Sequence, residues 1–389
     1  SAPKLRAFFR GLSTMNVAWA LPFAIYILAF LLVYINTRWT LYSNFRKCCE
    51  DLDLNGKVVI VTGGSDGIGK EAARILYQKG AHVIIASRND AKLKAAVSSI
   101  KQEAQTKSVV GGVKPGGVIE SALMDLASLA SVRYFASKIL DRGLDIDFLV
   151  LNAGVGYTAF KKTEDGLDLT MQTNHFGHFL LLNLLLPNLV KNAGRVITVS
   201  SSVWQMGSHS IVKQVMDPVA WGRFRIPALG RLLWYGNTKY ANILMSLQLH
   251  QLFKSFNPDG GGATVMALHP GIILTSSFTR NLPPIIRSIL STFSFLSRTS
   301  EEGAFNIIYS MVSKDLEDKN GMFINDCRIS FDVRSQSYEQ AEQLWAASLK
   351  AVKLKIDKEE EEEEQDEPAA EVVEEEVIVE EEEGDKKDQ

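Results

Sequence analysis

Residues 58–69 read VVIVTGGSDGIG, an apolar run that passes directly into a loop with glycines at positions 63, 67 and 69. Glycines permit a tight turn and let the backbone come close to a phosphate. Residues 70–79 follow at helical length, and such a helix presents free N–H groups and the positive end of its dipole to that anion. The stretch therefore predicts a strand, a phosphate-binding loop and a helix, the opening unit of a dinucleotide-binding sheet.

Short apolar runs alternate with segments of helical length through the rest of the chain. The clear runs are Val83–Ala86, Phe148–Leu151, Val196–Val199 and Val265–Leu268, and weaker candidates lie near Val118–Leu123 and Met322–Ile324. The clear runs do not alternate with polar residues, which is typical of parallel strands buried on both faces. We predict an α/β fold with a doubly wound, parallel, seven-stranded sheet of the Rossmann type, in one domain over residues 57–356.

An uncharged apolar stretch precedes this domain. Val17–Ile35 has 19 residues without a charge, and as a helix it would span about 28 Å, close to the hydrocarbon thickness of a bilayer. It is longer than the core of a signal peptide, so we predict an uncleaved transmembrane helix within residues 1–36 and a juxtamembrane linker over 37–56. We expect a single-pass membrane protein. The endoplasmic reticulum is favoured, and a mitochondrial membrane is the alternative because no acidic residue precedes Glu50.

The charge of the chain is divided between an acidic C-terminal stretch and a basic body. Residues 357–389 hold 19 acidic and 3 basic residues, a net charge of −16, whereas the preceding part holds 39 basic and 26 acidic residues. Like-charge repulsion opposes a compact state, so we predict a disordered acidic tail, with binding to a basic partner as the alternative to simple solvation. The basic residues of the body are scattered, which argues against nucleic acid as a partner. We interpret them as solvated surface, with proximity to a membrane as the alternative.

Cysteines and histidines predict no special chemistry. The chain has 3 cysteines, Cys48, Cys49 and Cys327, which excludes a disulfide-dense secreted scaffold. Cys48 and Cys49 follow the apolar stretch, so palmitoylation and unmodified thiols both stay open. His175 and His178 lack a third ligand of suitable spacing, and we therefore predict no metal site.

The end of the second predicted strand bears on the choice of cofactor. The sequence there is Ala86-Ser87-Arg88. A carboxylate at this place would hydrogen-bond the adenosine ribose and favour NAD, whereas a guanidinium matches the geometry of a 2′-phosphate. Arg88 therefore predicts NADP(H), with a further hydrogen bond from Ser65, although Asp90 weakens the inference.

A tyrosine and a lysine share one face of a predicted helix. Tyr235 and Lys239 stand four residues apart, which brings the phenol and the ammonium to the same side. A phenol with an ordinary pKa is a poor acid or base at neutral pH, and a neighbouring cation lowers that pKa. The pair is therefore suited to reversible proton transfer at a carbonyl oxygen.

Together these motifs resemble the short-chain dehydrogenase/reductase superfamily. They occur in the order Gly63-x-x-x-Gly67-Ile68-Gly69, Asn152-Ala153-Gly154, Ser201 after a strand, and Tyr235-x-x-x-Lys239, and the resemblance covers about residues 57–349. Finer matches, such as Asn174-His-Phe-Gly-His-Phe and His269-Pro-Gly, are similar to the membrane-anchored retinol dehydrogenase-like branch. This resemblance implies an NADP(H)-dependent enzyme that interconverts an apolar aldehyde or ketone and its alcohol, such as a retinoid, polyprenoid or steroid.

The resemblance also implies a role for each matching residue. Tyr235 would be the general acid in reduction, and Lys239 would lower its pKa and bind the nicotinamide ribose. Ser201, with Ser202 as the alternate, would hydrogen-bond the substrate oxygen. Asn174 would hold a water that links Lys239 to solvent. The cofactor-binding residues would be Gly63, Ser65, Asp66, Gly67, Ile68, Gly69, Arg88, Asp125, Leu126, Asn152, Ala153, Gly154, Tyr235, Lys239 and Thr275.

A substrate lid and a rival function complete the expectations. Residues 278–296 fall where this family places its substrate lid, and their apolar stretches at 282–286 and 293–295 favour an apolar substrate. The rival is a non-catalytic, membrane-tethered interaction protein that keeps the fold and binds partners through its acidic tail. A scaffold has no physical need for all four of Asn174, Ser201, Tyr235 and Lys239, so the enzyme is the stronger hypothesis. The formation of a homo-oligomer stays open.

Overall fold

The apolar runs of the sequence form one eight-stranded sheet in the computed structural model, which describes residues 17–106, 111–114, 116–156, 158–207, 211, 227–258, 261–273, 288 and 297–354. The strands are β1 (Val58–Thr62), β2 (His82–Ser87), β3 (Val118–Leu123), β4 (Phe148–Leu151), β5 (Arg195–Val199), β6 (Thr264–His269), β7 (Met322–Asn325) and β8 (Ile329–Asp332). Their order is β3-β2-β1-β4-β5-β6-β7-β8, and β1 to β7 pair in parallel. The predicted α/β class and its doubly wound parallel sheet are confirmed.

The eighth strand was not predicted, because its turn lacks the usual glycine. β8 pairs antiparallel with β7 at the sheet edge. Asn325 and Arg328 exchange backbone hydrogen bonds of 3.0 and 3.2 Å around two left-handed residues, Asp326 (φ 56°) and Cys327 (φ 50°). Two such residues form the turn that suits a tight hairpin. Arg298 pairs with the Asp326 carboxylate at 2.6 Å, so tertiary contacts hold a turn that local sequence preference does not favour.

The helices cover the sheet and complete the core. Among the described residues the longer ones are α1 (Val17–Cys49), α2 (Gly67–Gln78), α3 (Asp90–Thr106), α4 (Leu129–Leu140), α5 (Gly177–Lys191), α6 (Pro227–Phe256), α7 (Ser300–Val312) and α8 (Tyr338–Ala351). Every residue of β1 is buried, as expected of a central parallel strand. A π-helical turn over Gln172–Phe176 leads into α5, and it carries Asn174.

Helix α1 consists of an exposed apolar half and a half that belongs to the core. From Ala24 to Val33 every described side chain is exposed. From Leu41 onward one stripe turns inward, and Leu41, Phe45 and Cys49 are 1%, 1% and 0% exposed. Phe45 stacks on Phe305 of α7 with ring centroids 3.7 Å apart. The i, i+4, i+8 spacing places this stripe on one side of the helix, so its burial follows from ordinary amphipathic packing.

The segment predicted as a juxtamembrane linker is therefore helical as far as Cys49. Cys48 lies 13 residues after Ile35, which is about 20 Å along the helix axis. Because Cys49 is buried and Cys48 is half-buried, neither thiol has the exposed juxtamembrane position that palmitoylation requires. A candidate membrane span of Ala24–Cys49 satisfies the criteria of length and mean hydropathy. The predicted acidic tail, residues 357–389, lies outside the described residues.

Candidate active site

A cavity of about 480 Å³ lies at the carboxyl ends of β1, β2, β4 and β5. The strand order changes direction between β1 and β4, and ligands of open α/β sheets bind beside such a point. Most of the predicted cofactor residues line this cavity, namely Gly63, Ser65, Asp66, Gly67, Ile68, Gly69, Arg88, Asp125, Leu126, Asn152, Ala153, Gly154, Tyr235 and Lys239. Thr275 lies outside the described residues, as does the predicted lid, apart from Ser288.

The glycine loop is packed so tightly against the end of β4 that side chains are excluded at Gly63 and Gly69. A Cβ atom on Gly63 would stand 2.9 Å from the Ala153 Cα, and one on Gly69 would stand 2.5 Å from the Asn152 Nδ2. Gly63 also has φ +69°, which disfavours any other residue. The Asp66 carboxylate accepts a hydrogen bond of 2.8 Å from the Gly67 N–H and caps α2. The loop thus brings backbone to the cavity wall at the start of a helix.

A buried threonine joins this loop to the neighbouring strand. The Thr62 Oγ1 accepts hydrogen bonds from the N–H groups of Asn152 (2.9 Å) and Ala153 (3.0 Å) and lies 2.9 Å from the His178 Nε2. The Asn152 side chain donates to the Thr62 carbonyl at 2.8 Å. Burial, together with the positive charge of Lys239, lowers the pKa of His178 to about 3. The Thr62 hydroxyl donates to the Val150 carbonyl at 3.3 Å, and a neutral His178 is a second acceptor within reach, while the Thr62 oxygen accepts from the two N–H groups at the end of β4.

Lys239 is the buried cation of the site. It is 3% exposed, its Nζ donates to the Val199 carbonyl at 3.0 Å, and it lies 5.6 Å from the ring centroid of Tyr235. Burial lowers its pKa to about 8. Tyr235 is half-buried one helical turn earlier on α6, and both residues line the cavity. The i, i+4 pair of the sequence thus becomes a phenol and an ammonium on one cavity wall.

Asn174 lies beneath this wall, and its amide is bonded to protein. The Asn174 Oδ1 accepts from the Val155 N–H at 2.7 Å, and its Nδ2 donates to the Val155 carbonyl at 2.9 Å. The Nδ2 also contacts the Thr238 Oγ1 at 2.9 Å. A Cβ atom on Gly154 would meet the Asn174 Oδ1 at 3.4 Å and the Lys239 Nζ at 3.5 Å, so both groups lie directly below Gly154. The Asn174 side chain therefore fixes the loop that follows β4 through both backbone groups of Val155, and it holds this loop beside Lys239.

The three consecutive serines have different environments. Ser200 is buried, lines the cavity and donates to the Lys239 carbonyl at 2.8 Å. Ser201 is half-buried and caps a short 3-10 helix, Ser202–Met206, while the Ser202 side chain is exposed. This short helix packs on α6 at Gly236, where a Cβ atom would stand 2.8 Å from the Val203 carbonyl. Ser201 thus lies beside the tyrosine helix, but among the described residues it is Ser200 that lines the cavity.

Polar and cationic groups line the cavity at the end of β2. Arg88 and Lys92 both line it and are exposed, and the Ser65 hydroxyl donates to the Ser87 Oγ at 3.0 Å. Asp90 pairs with Lys94 at 2.6 Å and is not among the residues described as lining the cavity. Lys92 was missed from the sequence because it lies inside a helix rather than at the strand end.

One polar contact next to the tyrosine has no counterpart in the sequence motifs. Trp234 precedes Tyr235, is 2% exposed, and its Nε1 donates to the Asp168 Oδ1 at 2.7 Å. The same oxygen accepts from the N–H groups of Thr170 (3.0 Å) and Met171 (2.9 Å). Burial raises the pKa of Asp168. This carboxylate therefore connects the start of the tyrosine segment to the turn that leads to Asn174.

A second cleft, of about 960 Å³, lies at the opposite end of the sheet. Residues at its wall include Lys57, Asp147 and Arg195, which stand at the amino ends of β1, β4 and β5. Lys57 pairs with Asp147 at 2.7 Å. The Arg195 guanidinium donates to backbone carbonyls, including that of Leu316 at 3.0 Å. These charged groups of the larger cleft are therefore paired with other groups of the protein. The smaller cavity, which holds the Tyr235 phenol and the Lys239 ammonium, is the candidate active site.

Two relatives are similar to this chain over most of their own length. Retinol dehydrogenase 12 of Mus musculus is 30% identical over 85% of this chain and 99% of that protein. Short-chain dehydrogenase TIC 32 A, chloroplastic, of Brassica napus is 32% identical over 80% of this chain and 93% of that protein. The family model described as short chain dehydrogenase matches residues 57–213, which include the glycine loop, Asn152 and Asn174.

Solved structures share the fold. A crystal structure of an uncharacterized protein from Mycobacterium Paratuberculosis has a TM-score of 0.58 at 27% identity, over 79% of this chain and 97% of that one. A short chain dehydrogenase from Shigella flexneri, complexed with NADP, has a TM-score of 0.51 at 24% identity, over 72% and 100% of the two chains. The second likeness bears on the fold alone.

Proposed function

Because the chain belongs to the short-chain dehydrogenase/reductase family, we propose that it is a membrane-anchored, NADP(H)-dependent reductase of apolar aldehydes or ketones that acts through Tyr235 and Lys239. Membership makes it an oxidoreductase that acts on CH–OH groups and uses a nicotinamide cofactor. The observation that carries the proposed mechanism is the buried Lys239, one helical turn from Tyr235 on the wall of the cavity that also holds the glycine loop.

The cavity suits a dinucleotide along its whole length. The α2 N-terminus and the glycine loop offer backbone N–H groups to a pyrophosphate. Arg88 and Lys92 lie on the β2 side, and the carboxylate of Asp125, which accepts from the Ala127 N–H at 2.9 Å, lies beyond them. Tyr235 and Lys239 line the other part of the cavity. One cleft therefore contains two cations that could bind phosphate, Arg88 and Lys92, and the Tyr235–Lys239 pair.

The chain's own residues manage the proton of the reaction. A bound nicotinamide would donate a hydride to the carbonyl carbon or accept one from the alcohol. Tyr235 gives its proton to the substrate oxygen in reduction and takes it back in oxidation. Lys239, with a pKa of about 8, is mostly charged at neutral pH and favours the phenolate form of Tyr235. Asn174 holds the Val155 backbone beside Lys239. Ser201 would hydrogen-bond the substrate oxygen.

Tyr235→Phe tests this assignment. The variant keeps the ring but lacks the transferable proton, so NADPH binding should persist while reduction of retinal, a polyprenal or a steroid ketone falls by more than tenfold, or about 1.4 kcal/mol of barrier. The matched control is Tyr240→Phe on the same helix, since the Tyr240 hydroxyl bonds to the Gln340 Oε1 at 2.7 Å. Activity of Tyr235→Phe within tenfold of the unchanged protein would refute the role of Tyr235. NADPH binding without turnover of any carbonyl would favour the non-catalytic alternative.

The preference for NADP(H) rests on the cations beside β2. The Asp90 carboxylate, two residues after Arg88, pairs with Lys94, whereas Arg88 and Lys92 line the cavity. A charge-assisted hydrogen bond contributes roughly 1.5–3 kcal/mol, which is about one to two orders of magnitude in affinity. Arg88→Asp should therefore weaken NADPH much more than NADH. Dissociation constants at fixed ionic strength measure this, with Lys101→Asp as a control of equal charge change on α3. Equal weakening of both cofactors would refute the assignment.

The apolar substrate is inferred from the membrane helix and from the relatives. The exposed half of α1 favours a location at lipid, where apolar carbonyls dissolve. A relative named retinol dehydrogenase 12 points to the same class of substrate. Removing residues 1–36 should release the protein from membranes, because the core stripe begins only at Leu41. Alkaline extraction followed by centrifugation tests the anchor, and a truncated protein that still pellets would contradict it.

A further inference from the structure

Helix α1 runs from its exposed apolar half into the domain without interruption, and Arg38 lies at the transition. Arg38 stands three residues after Ile35, about 4.5 Å along the helix. Its guanidinium forms an ion pair with Glu302 and donates to the Ser297 carbonyl at 3.3 Å. It also donates to the Tyr34 hydroxyl at 2.5 Å. The end of the apolar half is therefore bonded to the segment that leads into α7.

This segment contacts the loop after β6, which borders the cavity. The Arg298 N–H donates to the Ile272 carbonyl at 2.8 Å, and Pro270, two residues before Ile272, lines the cavity. Arg298 also packs on Gly271, where a Cβ atom would stand 2.1 Å from the Arg298 Cδ. Ile272 is 64% exposed despite its apolar side chain. A short series of contacts thus connects Arg38 to the cavity wall, through an exposed apolar residue.

The helix is held firmly relative to the cavity. Phe45 stacks on Phe305 of α7, and the N-terminal end of α7 is joined to α2 by the ion pair of the buried Arg74 with Glu301 at 2.7 Å. A Cβ atom on Gly303 would stand 3.2 Å from the Ile68 Cγ1 of the glycine loop. The direction of α1 is therefore set by the same helix that packs against Ile68 of the glycine loop.

We propose that a lipid bilayer contacts the domain at the surface formed by Trp39, Ile272 and the Arg38–Ser297 contact, so that the active site opens beside the membrane that contains α1. The inference rests on the proposed function, because it takes α1 as an anchor. Consecutive exposed apolar residues from Ala24 to Val33 cover all sides of the helix, and a bilayer covers all sides, whereas a protein groove covers one stripe. Trp39, 72% exposed, has the amphipathic ring that favours the membrane interface.

Lipid proximity can be measured on the full chain in phosphatidylcholine vesicles. Ile272→Cys carries an environment-sensitive fluorophore, and Tyr134→Cys on α4, 66% exposed in the unchanged protein, is the matched control. Labelling of the unchanged protein gives the background from its own cysteines. Nitroxide-bearing lipids should quench the label at 272 and leave the label at 134 almost unquenched. Equal quenching at both positions, or none at 272, would overturn the inference. Failure of the protein to float with the vesicles would instead refute the anchor itself.

A second experiment tests the delivery of substrate. A Gly-Gly-Ser insertion after Asn36 interrupts the helix before Arg38 and so removes the fixed orientation while the anchor remains. Reduction of a long-chain aldehyde dissolved in the vesicles should fall by about tenfold, since its effective concentration at the site falls. Reduction of a water-soluble aldehyde should be unchanged by this insertion. The control is the same insertion after Gly112, which has open space around it and should change the reduction of neither aldehyde. Equal rates of reduction of the vesicle-borne aldehyde by the unchanged protein and by the variant with the insertion after Asn36 would contradict the inference. Loss of activity on both aldehydes would contradict it too, because it would show that the insertion acts on the catalytic domain and not on delivery from the membrane.

Discussion

Replacing Phe45 by alanine should show whether the second half of α1 belongs to the core. Phe45 is 1% exposed, and its ring stacks on that of Phe305 at a centroid distance of 3.7 Å and an interplanar angle of 12°. Truncation of a buried phenylalanine to alanine destabilises a protein by roughly 3–5 kcal/mol, because apolar contacts are lost and a cavity remains. Domains of this kind are stable by only about 5–15 kcal/mol, so the loss is a large fraction of the total.

The measurement is urea unfolding of the full chain in detergent, followed by fluorescence and by activity. The midpoint should fall for Phe45→Ala, and the melting temperature should fall by on the order of 10 °C. Phe30→Ala on the same helix is the control, because Phe30 is 47% exposed and should change stability by less than about 0.5 kcal/mol. If Phe45→Ala loses less than about 1 kcal/mol, or if the two variants behave alike, α1 is not part of the folded core and the reasoning fails.

Three further changes probe the site and the tail. Burial lowers the pKa of Lys239 from 10.5 to about 8, so its charged form costs the fold on the order of 3 kcal/mol below pH 8, and this cost fades as the pH rises from 8 to 10.5. Lys239→Met should therefore raise the unfolding free energy at pH 7, lose that gain by pH 10.5, and abolish reduction; lower stability at pH 7 would contradict this. Trp234→Phe removes the N–H donated to Asp168 at 2.7 Å and should lower kcat more than it changes KM. The control is Trp345→Phe on α8, whose ring packs on Phe179, and equal kinetics for the two variants would count against the role of Trp234. Deletion of residues 357–389 should leave reduction nearly intact, because a segment of such charge contributes little to a core, and a large fall in melting temperature would show otherwise.

Local sequence predicted most of the sheet and the glycine loop. The runs that became β1, β2, β4, β5 and β6 are short and mostly apolar, whereas β3, with Glu120 and Ser121, has a weaker signal. A backbone that must turn tightly after β1 requires glycine at 63 and 69, so this part of the cavity is visible in the residue types themselves. The spacing of Tyr235 and Lys239 sufficed to place both on one face, because helix geometry relates residues four apart.

The environment of these residues depends on contacts between distant parts of the chain. The sequence contains Lys239 but not its burial, which lowers its pKa because strands and helices far apart in the chain enclose it. Asp168 lies 66 residues from Trp234, and neither belongs to a motif. The two left-handed residues of the β7–β8 turn are held by distant partners, through the ion pair of Asp326 with Arg298 and the hydrogen bond of 2.9 Å from the Cys327 N–H to the Asn306 Oδ1.

Helix α1 shows most clearly which properties the sequence determines and which depend on the tertiary structure. Its composition determined that an apolar helix precedes the sheet, since Val17–Ile35 has no charge. Composition did not reveal that the helix continues through the predicted linker. Leu41, Phe45 and Cys49 share one side of a helix by their spacing, but it is the packing of α7, through Phe305, that shows this side to be core. Hydrophobic patterning determines which residues avoid water, whereas the tertiary structure decides whether lipid or protein covers them.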